Sequence, residues 1–152
     1  MTEIRFYHLI TQTTERALPA ILTKAIANGR KAVVRLPDPA SVAHFDTHLW
    51  VYTPDSFLPH GSKADATASF QPVFLTSGND NPNGAEILVL CNRLDETVPA
   101  DADGFALCCD LFDGNDDTAL NAARARYKAY KGTGHTLTYW QQTDTGGWEQ
   151  KA

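Results

Sequence analysis

The opening of the chain constrains its fold more than any other feature, because a strand-like run and a helix-like run alternate there twice. Ile4 to Ile10 mixes apolar and polar residues at short period and reads as a strand. Thr13 or Thr14 then caps a helix from Glu15 to about Asn28. Its apolar Leu18, Ile21, Leu22, Ala25 and Ile26 fall at helical spacing, and Gly29 closes it. Lys31 to Leu36, with Ala-Val-Val at its centre, suits a buried strand. Asp38 is placed to accept from the open N–H groups of a second helix, and Pro39 fits its first turn. That helix runs to about Trp50, with Val42, Phe45 and Leu49 on one face. A β-α-β-α opening favours parallel strands joined by right-handed crossovers.

The later elements continue the alternation less regularly. Thr53 to Ala68 holds Pro54 and Pro59 and reads as a long loop. Val73 to Leu75 and Glu86 to Leu90 are strand candidates separated by the turn-rich stretch Ser77 to Gly84, and Phe105 to Leu111 is another. Asn115 or Asp116 caps a helix reaching about Tyr130, which Gly132 or Gly134 ends. His135 to Gln141 reads as a last strand, followed by a short tail with Trp148. The expected fold is α/β: one domain over residues 1–152, with three α/β/α layers and a mostly parallel central sheet resembling nucleotide-binding folds. A chain of 152 residues suffices for one such core.

Several functions are disfavoured. A net charge of -5 argues against a dedicated nucleic-acid binder, which needs a basic excess to neutralise phosphates. The three cysteines include the adjacent pair Cys108 and Cys109, and the first ten residues lack the apolar run of a secretory signal. Reduced thiols in a soluble, cytoplasmic chain are expected, with no membrane span. A nucleotide site needs glycines between the first strand and helix, where this chain has Thr11-Gln12-Thr13-Thr14. His44 and His48 share a helical face without a third ligand at familiar spacing. Asp110, Asp113, Asp116 and Asp117 do not match a calcium loop. Asp116 and Asp117 more simply complement a helix N-terminus. Cys108 and Cys109 fall inside an apolar strand pattern, which suits structural thiols. No catalytic residue, metal or cofactor is expected.

Charge distribution is more informative. Between Arg93 and Asp117 there are eight acidic residues and one basic, whereas Arg124 to Lys131 holds four basic residues and no acidic one. Arg124 and Lys128 are i and i+4 on a helix, with Lys131 on the next turn, and Ala123, Tyr127 and Tyr130 form a neighbouring apolar stripe. Such cations oppose the helix dipole at its C-terminal end. A cation pair beside an aromatic also suits an acidic peptide with an aromatic residue or a free carboxylate.

Two segments are recognisable. One is Leu49-Trp50 followed by Ser56-Phe57-Leu58-Pro59-His60; the other is Ala123-Arg124-Ala125-Arg126-Tyr127-Lys128-Ala129-Tyr130, which leads into a glycine and a short strand. With the opening Phe6-Tyr7 strand, their order and spacing resemble the chi subunit of bacterial DNA polymerase III holoenzyme. The resemblance spans nearly the whole chain and is weakest between Gly61 and Ala102. It implies an α/β accessory subunit of the clamp-loader assembly with no catalytic role. Two contacts come with it: the psi subunit, which tethers chi to the clamp loader, and the acidic C-terminal tail of single-stranded DNA-binding protein. By position, the resemblance assigns tail binding to Arg124, Tyr127 and Lys128, with Phe112 as an addition, and the psi surface to Trp50 and Phe57. For those last two, ordinary core aromatics are the alternative. The segment Tyr139-Trp140-Gln141-Gln142, with Trp148, departs from some relatives and either adds to the tail pocket or covers the sheet edge. The rival expectation is a small nucleotide-binding enzyme of the same architecture.

Overall fold

The fold follows from a computed structural model that describes residues 2–51, 60–62 and 71–152. In chain order the elements are β1 (Glu3–Leu9), α1 (Thr14–Ala27), β2 (Ala32–Arg35), α2 (Pro39–Val51), β3 (Gly61–Ser62) and β4 (Val73–Thr76). These are followed by β5 (Ile87–Cys91), β6 (Leu107–Asp113), α3 (Asp117–Tyr130), β7 (Thr136–Gln142) and β8 (Trp148–Gln150). They build one eight-stranded sheet in the order β3-β4-β2-β5-β6-β1-β7-β8. Every neighbouring pair is parallel except β7–β8, which is antiparallel.

Strand alternation sorts the core into two layers. Val34, Leu75, Val89, Cys109 and Leu111 face α1 and α2, packing on Leu18, Leu22, Phe45 and Leu49. Their neighbours Val33, Phe74, Leu88, Leu90, Cys108 and Phe112 face the other way, packing with Ile4 and Phe6 against Ala123 and Tyr130 of α3. The central strands are buried on both faces, which is why they read as continuous apolar runs. The three-layer α/β/α expectation is met.

Four details differ from the sequence expectation. Thr13 stands at the N-terminal cap of α1, yet its side chain makes no capping bond, and only its carbonyl accepts, from the N–H groups of Arg16 and Ala17. Thr14 is turned inward, its hydroxyl taking a 2.9 Å bond from the Asn92 amide. A short strand, β3, lies inside the stretch expected as loop; residues 53–59 and 63–68 of that stretch lie outside the described residues. The expected tail at Trp148 is instead strand β8. Asp38 does cap α2, accepting from the Ser41 N–H at 2.7 Å.

Pro19 sits inside α1. A proline has no N–H to give the carbonyl four residues earlier, here that of Glu15. His48 of α2 replaces it, its Nε2 donating to the Glu15 carbonyl at 2.6 Å. The missing helical bond thus becomes a tie between two helices. Replacing His48 with alanine should cost about 1–2 kcal/mol, the desolvation cost of a polar group that loses its partner. Urea unfolding measures it, and an unchanged midpoint would contradict this role.

Candidate functional site

Helix α3 starts at Asp116, whose carboxylate accepts from the N–H groups of Thr118 at 3.0 Å and Ala119 at 3.3 Å. What fixes its rotation is Arg126. Its side chain is wholly buried against an equally buried Asp110, in a two-pronged pair at 2.7 and 2.8 Å. The remaining guanidinium nitrogen donates to the Arg93 carbonyl at 3.1 Å and to that of Asp95 at 2.6 Å. Residues two positions away on a helix point about 200° apart. Holding Arg126 inward therefore presents Arg124 and Lys128 to solvent, and both are exposed.

Below this exposed face lies a shallow groove lined by His8, Arg124, Tyr127, Lys131, Tyr139, Gln141, Lys151 and Ala152. Its floor is aromatic. Tyr127 meets Phe6 edge-on at 5.3 Å and Tyr139 at 5.6 Å, and the Lys131 ammonium sits 5.5 Å from the Tyr127 ring centre. Tyr139 is hydrogen-bonded through its hydroxyl to His8 Nδ1 at 2.7 Å. Burial pushes the Tyr139 hydroxyl up to about 12, so it stays protonated at neutral pH. Burial, helped by nearby Arg124, holds the His8 imidazole below its ordinary value. Gly114 lets this ring lie where it does, since a Cβ there would come within 2.0 Å of the imidazole and 2.7 Å of the Leu9 carbonyl.

Of the residues expected at this site, Arg124 and Tyr127 line the groove. Lys128 is exposed on the outer shoulder of α3, outside the groove lining. Phe112 is wholly buried beneath the floor, its ring 5.2 Å from His8 and 6.2 Å from Tyr139. It supports those two side chains and has no surface of its own to offer a ligand, which corrects its expected role as a contact. Trp50 falls in the last turn of α2 without a described side chain, and Phe57 lies outside the described residues. Lys151 and His8 were not expected here, while Tyr139 belongs to the segment expected either to add to the tail pocket or to cover the sheet edge. The parallel register of β1 with β7, pairing Phe6 with Tyr139 and His8 with Gln141, brings His8 and Tyr139 together, and a 2.8 Å bond from the Lys151 N–H to the Tyr139 carbonyl places Lys151 beside them. Strand parity alone already places Phe6 and His8 on one face.

Elsewhere the chemical candidates are occupied structurally. At the β1–α1 junction, where a phosphate would sit in a nucleotide-binding fold, the N–H groups of Ile10, Thr11 and Gln12 all donate to Gln142 Oε1, at 3.1, 2.9 and 2.9 Å. The chain thus fills its own anion cradle with a neutral amide. The acidic run is spent on partners: Asp101 on Arg35 and Asp95 on Arg93, besides Asp110 and Asp116. All three cysteines are free and buried, and burial pushes Cys109 up to about 12 and raises Cys91 and Cys108 as well. They are unreactive as thiolates near neutral pH. His44 and His48 stack at 6.2 Å between ring centres. Among the described residues no group of three His, Cys, Asp or Glu side chains is placed to hold a metal, and no helix is long and apolar enough to cross a membrane.

Residues 1–138 match the family model described as DNA polymerase III chi subunit, HolC. A curated relative, the probable DNA polymerase III subunit chi of Rickettsia prowazekii (strain Madrid E), is 30% identical over 95 residues. That alignment covers 62% of this chain and 58% of the relative, so the chain spans less than two thirds of the relative it matches.

Proposed function

The chain belongs to the DNA polymerase III chi subunit family, and on that premise we propose that it is a non-catalytic bridging subunit of the replicative polymerase. The groove beside α3 takes the acidic C-terminal tail of single-stranded DNA-binding protein. Arg124 meets the tail's carboxylates inside the groove, and Lys128 meets them from its shoulder. The apolar end of the tail rests on Tyr127, with Phe112 holding the floor from beneath. The psi subunit docks through Trp50 and Phe57 and ties the chain to the clamp loader; retained co-purification with psi after Phe57→Asp would move that contact elsewhere. The observation that carries the tail-binding reading is the union of exposed cations with an aromatic floor in one groove. The rival reading as a nucleotide-binding enzyme is weakened by Gln142, which occupies the N–H groups a phosphate would need.

His8 gives the site a pH signature. Its folded-state value lies below the ordinary one, so free protein loses stability as pH falls through about 6.5 toward that value. Bound carboxylates offset the neighbouring Arg124 and favour the imidazolium. Binding therefore takes up a proton, and by linkage affinity rises as pH falls from about 7.5 to about 5.5, where Asp carboxylates remain ionised. Calorimetric titration of an aspartate-rich peptide ending in phenylalanine should show this tightening, a few-fold in size, and His8→Gln should flatten it. Amidating the peptide's terminal carboxylate should weaken binding at either pH. Failure of the peptide to bind at all would end the tail-binding reading.

A further inference from the structure

We propose that the β7–β8 hairpin forms one wall of the tail-binding groove and that Lys151 is a further cation gripping the acidic peptide. This rests on the tail-binding reading and goes beyond it, because the hairpin from Tyr139 onward lies past residues 1–138, the part that the family model matches. Within that reading, residues of the matched segment supply the α3 side of the groove, and this chain adds the opposite side.

The hairpin is held firmly. Its turn is closed by bonds from Thr143 N–H to the Gly147 carbonyl at 2.8 Å and from Gly147 N–H to the Thr143 hydroxyl at 3.1 Å, with Gly146 at φ +88. β8 pairs with β7 in the register Trp140↔Gln150, Gln141↔Glu149 and Gln142↔Trp148. The ladder then continues past the strand: Lys151 N–H donates to the Tyr139 carbonyl at 2.8 Å, and Tyr139 N–H donates to Ala152 O at 3.4 Å. Alternation along β8 divides the work between its faces. Trp148 anchors one face by meeting Tyr7 edge-on at 5.1 Å. Lys151 lies on the other face and lines the groove opposite Arg124 and Lys131.

Three cations thus approach the groove from two elements, over a floor of Tyr127, Tyr139 and His8. An extended acidic peptide with a free carboxylate matches that arrangement in charge and in shape. The Lys151 ammonium is 45% exposed and pairs only loosely, at 3.4 Å, with a 61% exposed Glu149. Such a surface pair is weak, so an arriving carboxylate can displace Glu149.

The test is fluorescence anisotropy with a labelled aspartate-rich peptide ending in phenylalanine, at about 0.15 M salt to screen charges not in contact. Lys151→Ala should weaken binding about threefold, within the range of exposed charge pairs converted to affinity, and Lys151→Glu about tenfold, because a repulsion replaces the attraction. Gln150→Glu makes a charge change on the opposite face of the same strand and should alter affinity by less than about twofold. If Lys151→Glu leaves affinity unchanged while Arg124→Glu weakens it, the hairpin's role is overturned and the α3 site stands. If Gln150→Glu weakens binding as much as Lys151→Glu, the assignment of the groove face is overturned. If neither Lys151→Glu nor Arg124→Glu has an effect, the tail-binding reading falls together with this inference.

Discussion

Replacing Arg126 with methionine should destabilise the protein by about 3–5 kcal/mol, the usual consequence of stripping one partner from a buried ion pair. Asp110, whose carboxyl burial already pushes up, would be left without its guanidinium partner in an apolar layer among Cys108, Phe112 and Tyr130, and the carbonyls of Arg93 and Asp95 would lose their donor. Total stability for a domain of this size is commonly about 5–15 kcal/mol, so the single variant will be marginal. Replacing both partners, Asp110→Leu with Arg126→Met, removes the stranded carboxyl and should recover most of the loss. Chemical denaturation measures both. A single-variant loss below about 1 kcal/mol would mean that the pair does not hold α3 on the sheet.

The second large effect concerns binding. Arg124→Glu should weaken the acidic tail peptide at least thirtyfold, about 2 kcal/mol, because an attraction is lost and a repulsion takes its place. The fold should be unaffected, since Arg124 projects from the exposed side of α3. Lys128→Glu should cost less, because Lys128 sits on the shoulder and outside the groove lining. The residual affinity of both variants should depend less on salt than that of the native protein.

Much of this molecule could be read from its sequence, for identifiable reasons. A short polar–apolar period marked β1, helical spacing marked α1 and α2, a continuous apolar run marked β2, a cap and a closing glycine marked α3, and the acidic caps at Asp38 and Asp116 worked as their side-chain chemistry requires. Gly61–Ser62 carries no apolar pattern, so β3 was invisible. Trp148-Glu-Gln is exposed throughout and pairs only along one edge, so β8 passed for a tail. At the site, Arg124 and Tyr127 were found, while Lys151 was missed because its strand was missed. Arg126 falls outside the stripe of Arg124 and Lys128 at helical spacing, but its burial was not foreseen. The signal was Asp110, a lone carboxylate in a strand otherwise apolar from Cys108 to Phe112, where a buried charge demands a partner. Pro19 gave a similar hint, since a helix interrupted by proline leaves a carbonyl that another side chain must satisfy.

The most direct measurement is an NMR titration of the isotope-labelled protein with the tail peptide of single-stranded DNA-binding protein, following backbone amide shifts residue by residue. If the account is right, the perturbed amides cluster on Arg124, Tyr127, Lys131, Tyr139 and Lys151, and saturate together as one site. Shifts confined to the opposite side of the sheet, around Arg5, Tyr7 and Lys24, would contradict it.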